Sequence, residues 1–306
     1  MPIIKIIERS WDEMRPINNE DFFDIMDEAN TDIKDEVDKA VGYLRDTVGF
    51  LLYLRNKIDS IGRLVKGIET DIICLLFISK LIKIIDCISV LTEASCLEQV
   101  EDELRILLEN CVSLRYIINS GDSEKCARAY YLDDKINAKK KYEQFIKDDY
   151  FNQESFKTLL KSDENELKQM IAELDKDISE EYNSLFGDWK ENKSWYQNLG
   201  IVNFRELCKE VNLLKNSEKV YLDFYKSFSR GIHAKSVVDM CNCSNGELVF
   251  KKIRSPEKLH FIYFIYALIN DTCLDVISNY LKDDFEVQKQ YKEYVEKSRS
   301  VVILYK

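Results

Sequence analysis

Apolar residues recur at spacings of three and four along most of this chain, which is the pattern of helices that bury one face. Between Asn19 and Ile58 this spacing holds over most of the length. Glycine and proline, the residues that interrupt helices, number only 9 and 3 among 306 residues. The sequence therefore predicts an all-α fold, a multi-helix bundle of long antiparallel helices.

Helix boundaries are predicted where start and stop residues bracket this periodicity. The Glu69–Glu93 segment is apolar on most sides, so we expect a central, buried helix. The next, Leu97–Ile118, is followed by the stop sequence Asn119-Ser120-Gly121. Asp122 or Ser123 opens the next predicted helix, which runs to about Lys147. Further helices are predicted at about Asn203–Leu213, Tyr221–Ala234, Leu259–Leu281 and Phe285–Lys297.

Two stretches depart from the helical pattern. Turn residues flank ELVFKKI, which predicts a minor β-hairpin near residues 247–253. The last six residues, VVILYK, predict a short terminal strand. For domain organisation, we expect an N-terminal helical arm at 1–66 and a helical core domain at 67–306. A polar helical insertion is expected within that domain at about 148–192, where Glu and Lys are abundant.

The charge balance limits the kinds of partner. With 44 basic and 55 acidic residues the net charge is −11, which argues against an extended nucleic-acid surface but allows a small basic cleft. The basic run Lys139–Lys141 is typical of a solvated face, with a phosphate contact as the alternative. Charges interrupt the most apolar run, Ile72–Val90, so no membrane span is expected. No secretory signal is visible, which favours a cytoplasmic protein.

Nine cysteines are present, most of them single residues within helical patterns, where they act as small core side chains. An odd number of cysteines without a secretory signal indicates reduced thiols. Cys241 and Cys243 form a C-x-C pair, but no second pair follows at zinc-site spacing, so we expect no metal and no other cofactor. The role of these two cysteines stays open.

The most distinctive polar row lies in the predicted Tyr221–Ala234 helix. Tyr221, Tyr225, Ser229 and His233 follow one another at steps of four, so one helix face carries three hydroxyls and an imidazole. His233 is one of only two histidines, and its ordinary pKa near neutrality suits a general acid or base. The alternative is a histidine held in a buried polar network.

A second polar feature is the Arg105–Glu109 pair, four residues apart among apolar neighbours in LRILLENCVSLRYI. A buried Arg keeps its charge and must have partners. We therefore expect Arg105 and Glu109 to meet Tyr225 and His233 in one polar cluster, with a structural pair favoured over a catalytic one.

These motifs carry a resemblance. The order LRILLENCVSLRYI, a Trp near position 195, the Tyr–Tyr–Ser–His row and later IRSPEKL resembles an uncharacterised bacterial family of helical domains. Its members show an Arg-x-x-x-Glu helix, a Trp and a Tyr…Tyr…Ser…His helix in this order, and the family's function is unassigned. The resemblance covers roughly residues 70 to 280, and the first 60 residues lie outside it.

The helices also resemble the HEPN superfamily, many of whose members are ribonucleases in toxin–antitoxin and antiphage systems. The active HEPN pattern places a His four to six residues after an Arg, whereas Arg230 lies only three residues before His233. This resemblance implies a metal-independent ribonuclease that acts as a dimer through His233 and Ser229, with Arg230 or Arg105.

Three functions follow. The first is a helical effector or regulatory protein of a bacterial defence or toxin-type system, acting through a protein partner or a homodimer around the Arg/Glu/Tyr/His cluster. The second is the HEPN-like ribonuclease, with RNA as partner. The third is a sensor whose Arg105, Glu109, Tyr225 and His233 bind a small polar ligand. We prefer the first, and the biological setting rests on family analogy.

Overall fold

The computed structural model describes residues 34–61, 65–94, 96–147, 164–185, 193–211, 241–244, 247–250 and 259–303. The described residues are overwhelmingly helical, which confirms the all-α fold. In chain order the helices are α1 Lys34–Ser60, α2 Ile68–Glu93, α3 Leu97–Asn119, α4 Ser123–Lys147, α5 Glu164–Leu185, α6 Trp195–Asn198, α7 Phe204–Glu210, α8 Phe261–Tyr280 and α9 Phe285–Val302.

A two-stranded antiparallel sheet accompanies the helices. Strand β1, Cys241–Ser244, pairs with β2, Glu247–Phe250, and Asn245-Gly246 joins them, a dipeptide that two-residue hairpin loops favour. The hairpin therefore begins upstream of the predicted range 247–253, and residues 251–253 lie outside the described chain.

The core forms where five helices meet. Helix α2 packs against α1 and α3, α8 packs against α3 and α1, and α9 packs against α1 and α8. The shared core includes fully buried leucines from α1, α2, α3 and α8, namely Leu44, Leu81, Leu107, Leu108 and Leu268. The buried part of α1 thus belongs to the same core as α2 and α3. The predicted domain boundary at residue 66 stays a prediction.

Helix α2 is central, as predicted, but one of its faces is open to solvent. Ile68, Ile72 and Leu76 are 55%, 52% and 55% exposed. The sequence is apolar on this face as well, so composition alone misses the exposure.

The start of α2 is held by a side chain from α4. Glu124 accepts hydrogen bonds from the backbone N–H groups of Glu69 and Thr70, at 3.3 and 3.2 Å, and from the Thr70 hydroxyl at 2.8 Å. A carboxylate here also faces the positive end of the helix dipole. Burial raises the pKa of Glu124, but the hydrogen bonds from Glu69 and Thr70 outweigh it and bring that pKa below its usual value.

Gly67 makes this arrangement possible. Its φ of 132° is one that side-chain-bearing residues rarely adopt, and an added Cβ would lie against the Glu124 carboxylate. The glycine thus allows a carboxylate from α4 to reach the first turn of α2.

Helix α5, within the predicted polar insertion, packs mainly against α4. It runs antiparallel to α4, since Arg128 pairs with Glu181 near the start of α4 and Lys135 pairs with Asp177 further along. The contact thus combines ion pairs with apolar packing, since Ile178 of α5 belongs to the hydrophobic core and Leu174 packs against it.

The predicted terminal strand is wrong for its first residues. Val301 and Val302 belong to α9, which continues five residues beyond its predicted end at Lys297, and Val302 is buried. The apolar face of α9 continues through Tyr294, whose ring stacks on Phe50 of α1 with centroids 4.5 Å apart. Burial of this face keeps the segment helical despite its β-branched residues.

Of the described helices, α8 alone is long and apolar enough to cross a bilayer. More than half of that segment is buried inside the protein, as is common for a core helix. Its position between α3, α1 and α9 accounts for its composition.

Candidate functional site

The Arg105–Glu109 pair forms on α3 as the four-residue spacing predicts. The Arg105 Nε donates to Glu109 Oε1 at 3.1 Å, and the two side chains are 21% and 39% exposed. The pair is therefore half-buried at the edge of the core, where an ion pair contributes little to stability but can be reached by another group.

Helix α7 lies beside this pair. Asn203 caps α7 by accepting a hydrogen bond from the Glu206 N–H at 3.1 Å, and Cys208 points into the core. Burial raises the pKa of the Cys208 thiol to about 12, and the negative charge of Glu109 acts in the same direction. The carboxylate of Glu109 is thus close to α7.

Trp195, the tryptophan of the predicted motif order, anchors the same region. Its ring lies 5.8 Å from Tyr116 of α3 and 5.6 Å from Tyr130 of α4, and it is 5% exposed. A capping box between Ser194 and Gln197 sets the start of the short helix α6 that carries it. Trp195 therefore fixes α6 against α3 and α4 through apolar and edge-to-face ring contacts.

The remaining predicted site residues lie outside the described residues. These are Tyr221, Tyr225, Ser229, Arg230 and His233. The structure thus shows one half of the predicted cluster, Arg105 with Glu109, and the contact with Tyr225 and His233 stays a prediction.

A charge network around one buried arginine, which the sequence did not predict, joins α3 to α8. Arg115, 7% exposed, donates from Nε to Asp275 Oδ2 at 2.6 Å, and its Nη1 lies 3.6 Å from Asp271 Oδ2. Asn119 donates to the same Asp275 oxygen at 2.9 Å. Asn279 donates to Asn119 Oδ1 at 2.8 Å, so the network continues along both helices. Two carboxylates compensate one buried guanidinium, which identifies the network as structural.

The exposed apolar row on α2 is the second feature that the sequence did not predict. Ile68, Ile72 and Leu76 occupy one face at steps of four, and Lys80 and Lys83 continue it. Neither lysine forms an ion pair within the part of the chain that the structure describes. We refer to these five residues as the α2 row.

A cavity of about 260 Å³ opens beside the α2 row, between α2, α3 and α4. It is lined by Ile73, Leu76, Phe77, Lys80, Asn110, Tyr130, Tyr131 and Asp134. Tyr131 is 47% exposed, so it extends the apolar surface of Leu76 onto α4. The cavity is large enough for one bulky side chain.

The basic run on α4 is partly neutralised. Lys139 pairs with Asp175 of α5 and with Glu143 of its own helix, and these partners raise the pKa of Lys139. Lys141 lies over the ring of Phe145, 5.6 Å from its centroid. The sequence could have indicated the Lys139–Asp175 pair, because α4 carries a net positive charge and α5 a net negative one.

The other polar groups in the described part of the chain give no indication of a binding or catalytic site. His260 is exposed at the start of α8. Within the described ranges, no three His, Cys, Asp or Glu side chains are grouped so that they could hold a metal ion.

The fold and these sites define an all-helical protein with a half-buried Arg–Glu pair, a buried tryptophan and an exposed apolar row on its central helix. The chain belongs to the family of unknown function DUF5677, whose sequence profile matches residues 71–248. This confirms the predicted membership of a family without an assigned function. A search of curated proteins gave no match. A search of solved structures gave none either.

Proposed function

We propose that this chain is a helical effector or regulatory protein of a bacterial defence or toxin-type system that acts by binding a protein partner. The observation that supports this function best is the α2 row. It places three large aliphatic side chains, Ile68, Ile72 and Leu76, more than half exposed on a single helix face. Contiguous exposed apolar surface of this kind marks interaction sites.

The partner that fits the α2 row is an amphipathic helix. Side chains at steps of four on one helix engage an apolar row of the same repeat on another. Covering an aliphatic side chain of this size stabilises a complex by roughly 1.5–3 kcal/mol when burial is complete.

Charge narrows the choice of partner further. Lys80 and Lys83 lie one and two turns beyond Leu76 on the same face, so the partner helix carries carboxylates next to its apolar row. The cavity beside Leu76 receives one large side chain of that helix, in the manner of an interface anchor.

A growth assay and a phage-infection assay in a bacterial host test this function. Wild type is expected to restrict growth or infection, and Ile72→Ser combined with Leu76→Ser to abolish that restriction without lowering the melting temperature. The matched control combines Leu274→Ser with Phe285→Ser, since these residues are 49% and 78% exposed elsewhere on the surface. Equal activity of both double variants, or an inert wild type, contradicts the proposal.

Light scattering on the same proteins separates the kinds of partner. A wild-type dimer that becomes a monomer on Ile72→Ser with Leu76→Ser identifies a second copy as the occupant of the α2 row. If wild type and the double variant are both monomers, the partner is a different protein.

The His233→Ala variant distinguishes the HEPN-like ribonuclease from a protein that acts by binding a partner. If His233 is structural, the change removes a hydrogen-bond partner and costs roughly 1–3 kcal/mol, so stability and function fall together. A His233→Ala protein with an unaltered melting temperature that has lost RNA cleavage replaces the interaction proposal with the nuclease. Loss of a thermal shift by a small anionic ligand on Arg105→Ala favours the sensor instead.

A further inference from the structure

Helices α4 and α5 carry opposite charge within an acidic chain. Helix α4 has seven basic and four acidic residues, a net of +3, whereas α5 has two basic and seven acidic residues, a net of −5. The whole chain carries −11, so α4 is a basic helix in an acidic protein, and α5 packs mainly against it.

Three ion pairs align along this contact. Arg128 Nη2 lies 2.7 Å from Glu181 Oε2, Lys135 Nζ lies 3.0 Å from Asp177 Oδ2, and Lys139 pairs with Asp175. In every pair α4 supplies the cation and α5 the carboxylate.

Two of the three pairs are asymmetric in exposure, whereas Arg128 and Glu181 are 27% and 25% exposed. The Lys135 and Lys139 side chains are 17% and 21% exposed, whereas their partners Asp177 and Asp175 are 52% and 51% exposed. Helix α5 thus covers the two lysines, while Asp177 and Asp175 remain in contact with water. We refer to Arg128, Lys135 and Lys139 as the α4 basic row.

The α4 basic row has the geometry of a phosphate-binding strip. Its members are seven and four residues apart, so they share one helix face over roughly 16 Å. A row of Arg and Lys on one face is the usual contact for successive backbone phosphates, and Arg binds an anion through more than one N–H. The α5 carboxylates occupy the positions that such phosphates would take.

Another anion can also replace the α5 carboxylates in their ion pairs with α4. Among the described side chains of α5, only Leu167 and Ile178 are buried. Partly exposed ion pairs contribute little net stability and weaken with salt, so these three pairs add little to the attachment of α5 and a polyanion can compete for their cations.

We propose that α5 is an intramolecular cover over the α4 basic row, and that the uncovered row binds single-stranded nucleic acid through its phosphates. This inference is independent of the α2 row, which lies on another helix. The net charge of the chain keeps the covered protein from binding nucleic acid indiscriminately.

Fluorescence anisotropy with labelled single-stranded RNA and DNA of one length and sequence tests the proposal in the full-length chain. The uncovered variant combines Asp175→Asn, Asp177→Asn and Glu181→Gln. We expect it to bind at low salt at least tenfold more tightly than wild type. With three phosphate contacts, log K should fall with log salt at a slope of about −2.

A charge-matched control separates uncovering from a change of net charge. Glu173→Gln, Glu180→Gln and Glu296→Gln remove three carboxylates that pair within their own helices, giving the same net charge of −8. This control should bind like wild type. Adding Lys135→Gln and Lys139→Gln to the uncovered variant should abolish the gain.

The outcomes separate clearly. Equal binding of the uncovered variant and the control overturns the proposal, as does a gain that survives loss of Lys135 and Lys139. Similar affinity for RNA and DNA indicates contacts to phosphate alone, and preference for RNA adds contacts to the ribose hydroxyl. Should the triple variant fail to fold by circular dichroism, Asp177→Asn alone provides the test, with a smaller gain expected and its absence counting against the cover.

Discussion

Arg115 on α3 and Asp275 on α8 are 160 residues apart in sequence and 2.6 Å apart in space. Arg115 is buried and Asp275 is 23% exposed, so their contact lies at the edge of the core, with Cys111 and Thr272 buried close by. A guanidinium in this position requires a carboxylate, because it cannot lose its charge. The pair therefore determines how α8 is placed against α3.

Removal of Asp275 is expected to be strongly destabilising. Asp275→Ala leaves Arg115 with only the longer contact to Asp271, so the free energy of unfolding should fall by about 3 kcal/mol or more. Arg45→Ala is the control, since Arg45 and Glu93 form an ion pair that is more than half exposed on both sides and should cost less than about 1 kcal/mol. Urea denaturation of both variants gives the comparison, and similar losses would contradict a buried role for Arg115.

Glycine substitutions should have opposite effects at two positions. Gly67→Ala places a Cβ against the Glu124 carboxylate at a φ of 132°, so we expect a loss of about 1–3 kcal/mol. Gly49→Ala, inside α1 with open space around the new Cβ, should stabilise by about 0.5–1 kcal/mol. Thermal denaturation followed by circular dichroism measures both changes. A neutral Gly67→Ala would show that the first turn of α2 tolerates displacement of Glu124.

Thiol labelling should follow burial. Burial raises the pKa of Cys74 and Cys111 to about 12, so these thiols are protonated as well as inaccessible at pH 8. Cys87 is exposed, although partial burial of its thiol and the nearby charge of Glu103 raise its pKa. Iodoacetamide on the native protein, followed by peptide mass spectrometry, should modify Cys87 and spare the buried pair. Cys87→Ser should remove that modification, and labelling of Cys111 without denaturant would contradict the packing of α3.

The loss of folding stability at acid pH should depend on Asp284, which caps the N-terminus of α9. The hydrogen bond from the Val287 N–H, at 3.1 Å, holds the pKa of Asp284 below its usual value, and Lys57 adds to this. A folded-state pKa below the unfolded one means that the stabilisation is present above about pH 4 and is lost as the pH falls further.

Asp284→Asn should therefore flatten the loss of stability between about pH 5 and 3 while keeping a capping oxygen at pH 7. Asp283→Asn, at the exposed neighbour, is the control and should leave the slope unchanged. Urea midpoints measured from pH 7 to pH 3 give both slopes, and identical slopes for the two variants would exclude a role for the cap charge.

Local patterns in the sequence were sufficient to predict much of the helical framework. The start of α3 at Leu97 agrees with prediction, and α4 begins at Ser123, one of the two residues predicted to open it. The stop sequence Asn119-Ser120-Gly121 between the two helices depends only on nearby residues. The Arg105–Glu109 pair was predictable for the same reason, since both residues lie on one helix, four positions apart. Propensity failed at Val301, where tertiary burial of α9 outweighs the preference of valine for strands.

Contacts between distant elements were not predictable in this way. Nothing near Arg115 indicates that its carboxylates come from α8, and the apolar part of the α2 row has the composition of a buried face. Whether an apolar helix face is exposed to solvent depends on how many other helices pack against it in the fold. Only the charge contrast between α4 and α5 was visible in the sequence, as opposite signs in two segments of similar length.

The family match spans residues 71–248, whereas α1, α8 and α9 lie outside it. All three pack into the core that α2 and α3 also form. A fragment cut at the limits of the match would therefore expose Leu81 and Leu107 to water and is expected to aggregate. For expression of a minimal unit, the boundaries should be set by the helices that complete the core, with α1 and α9 both retained.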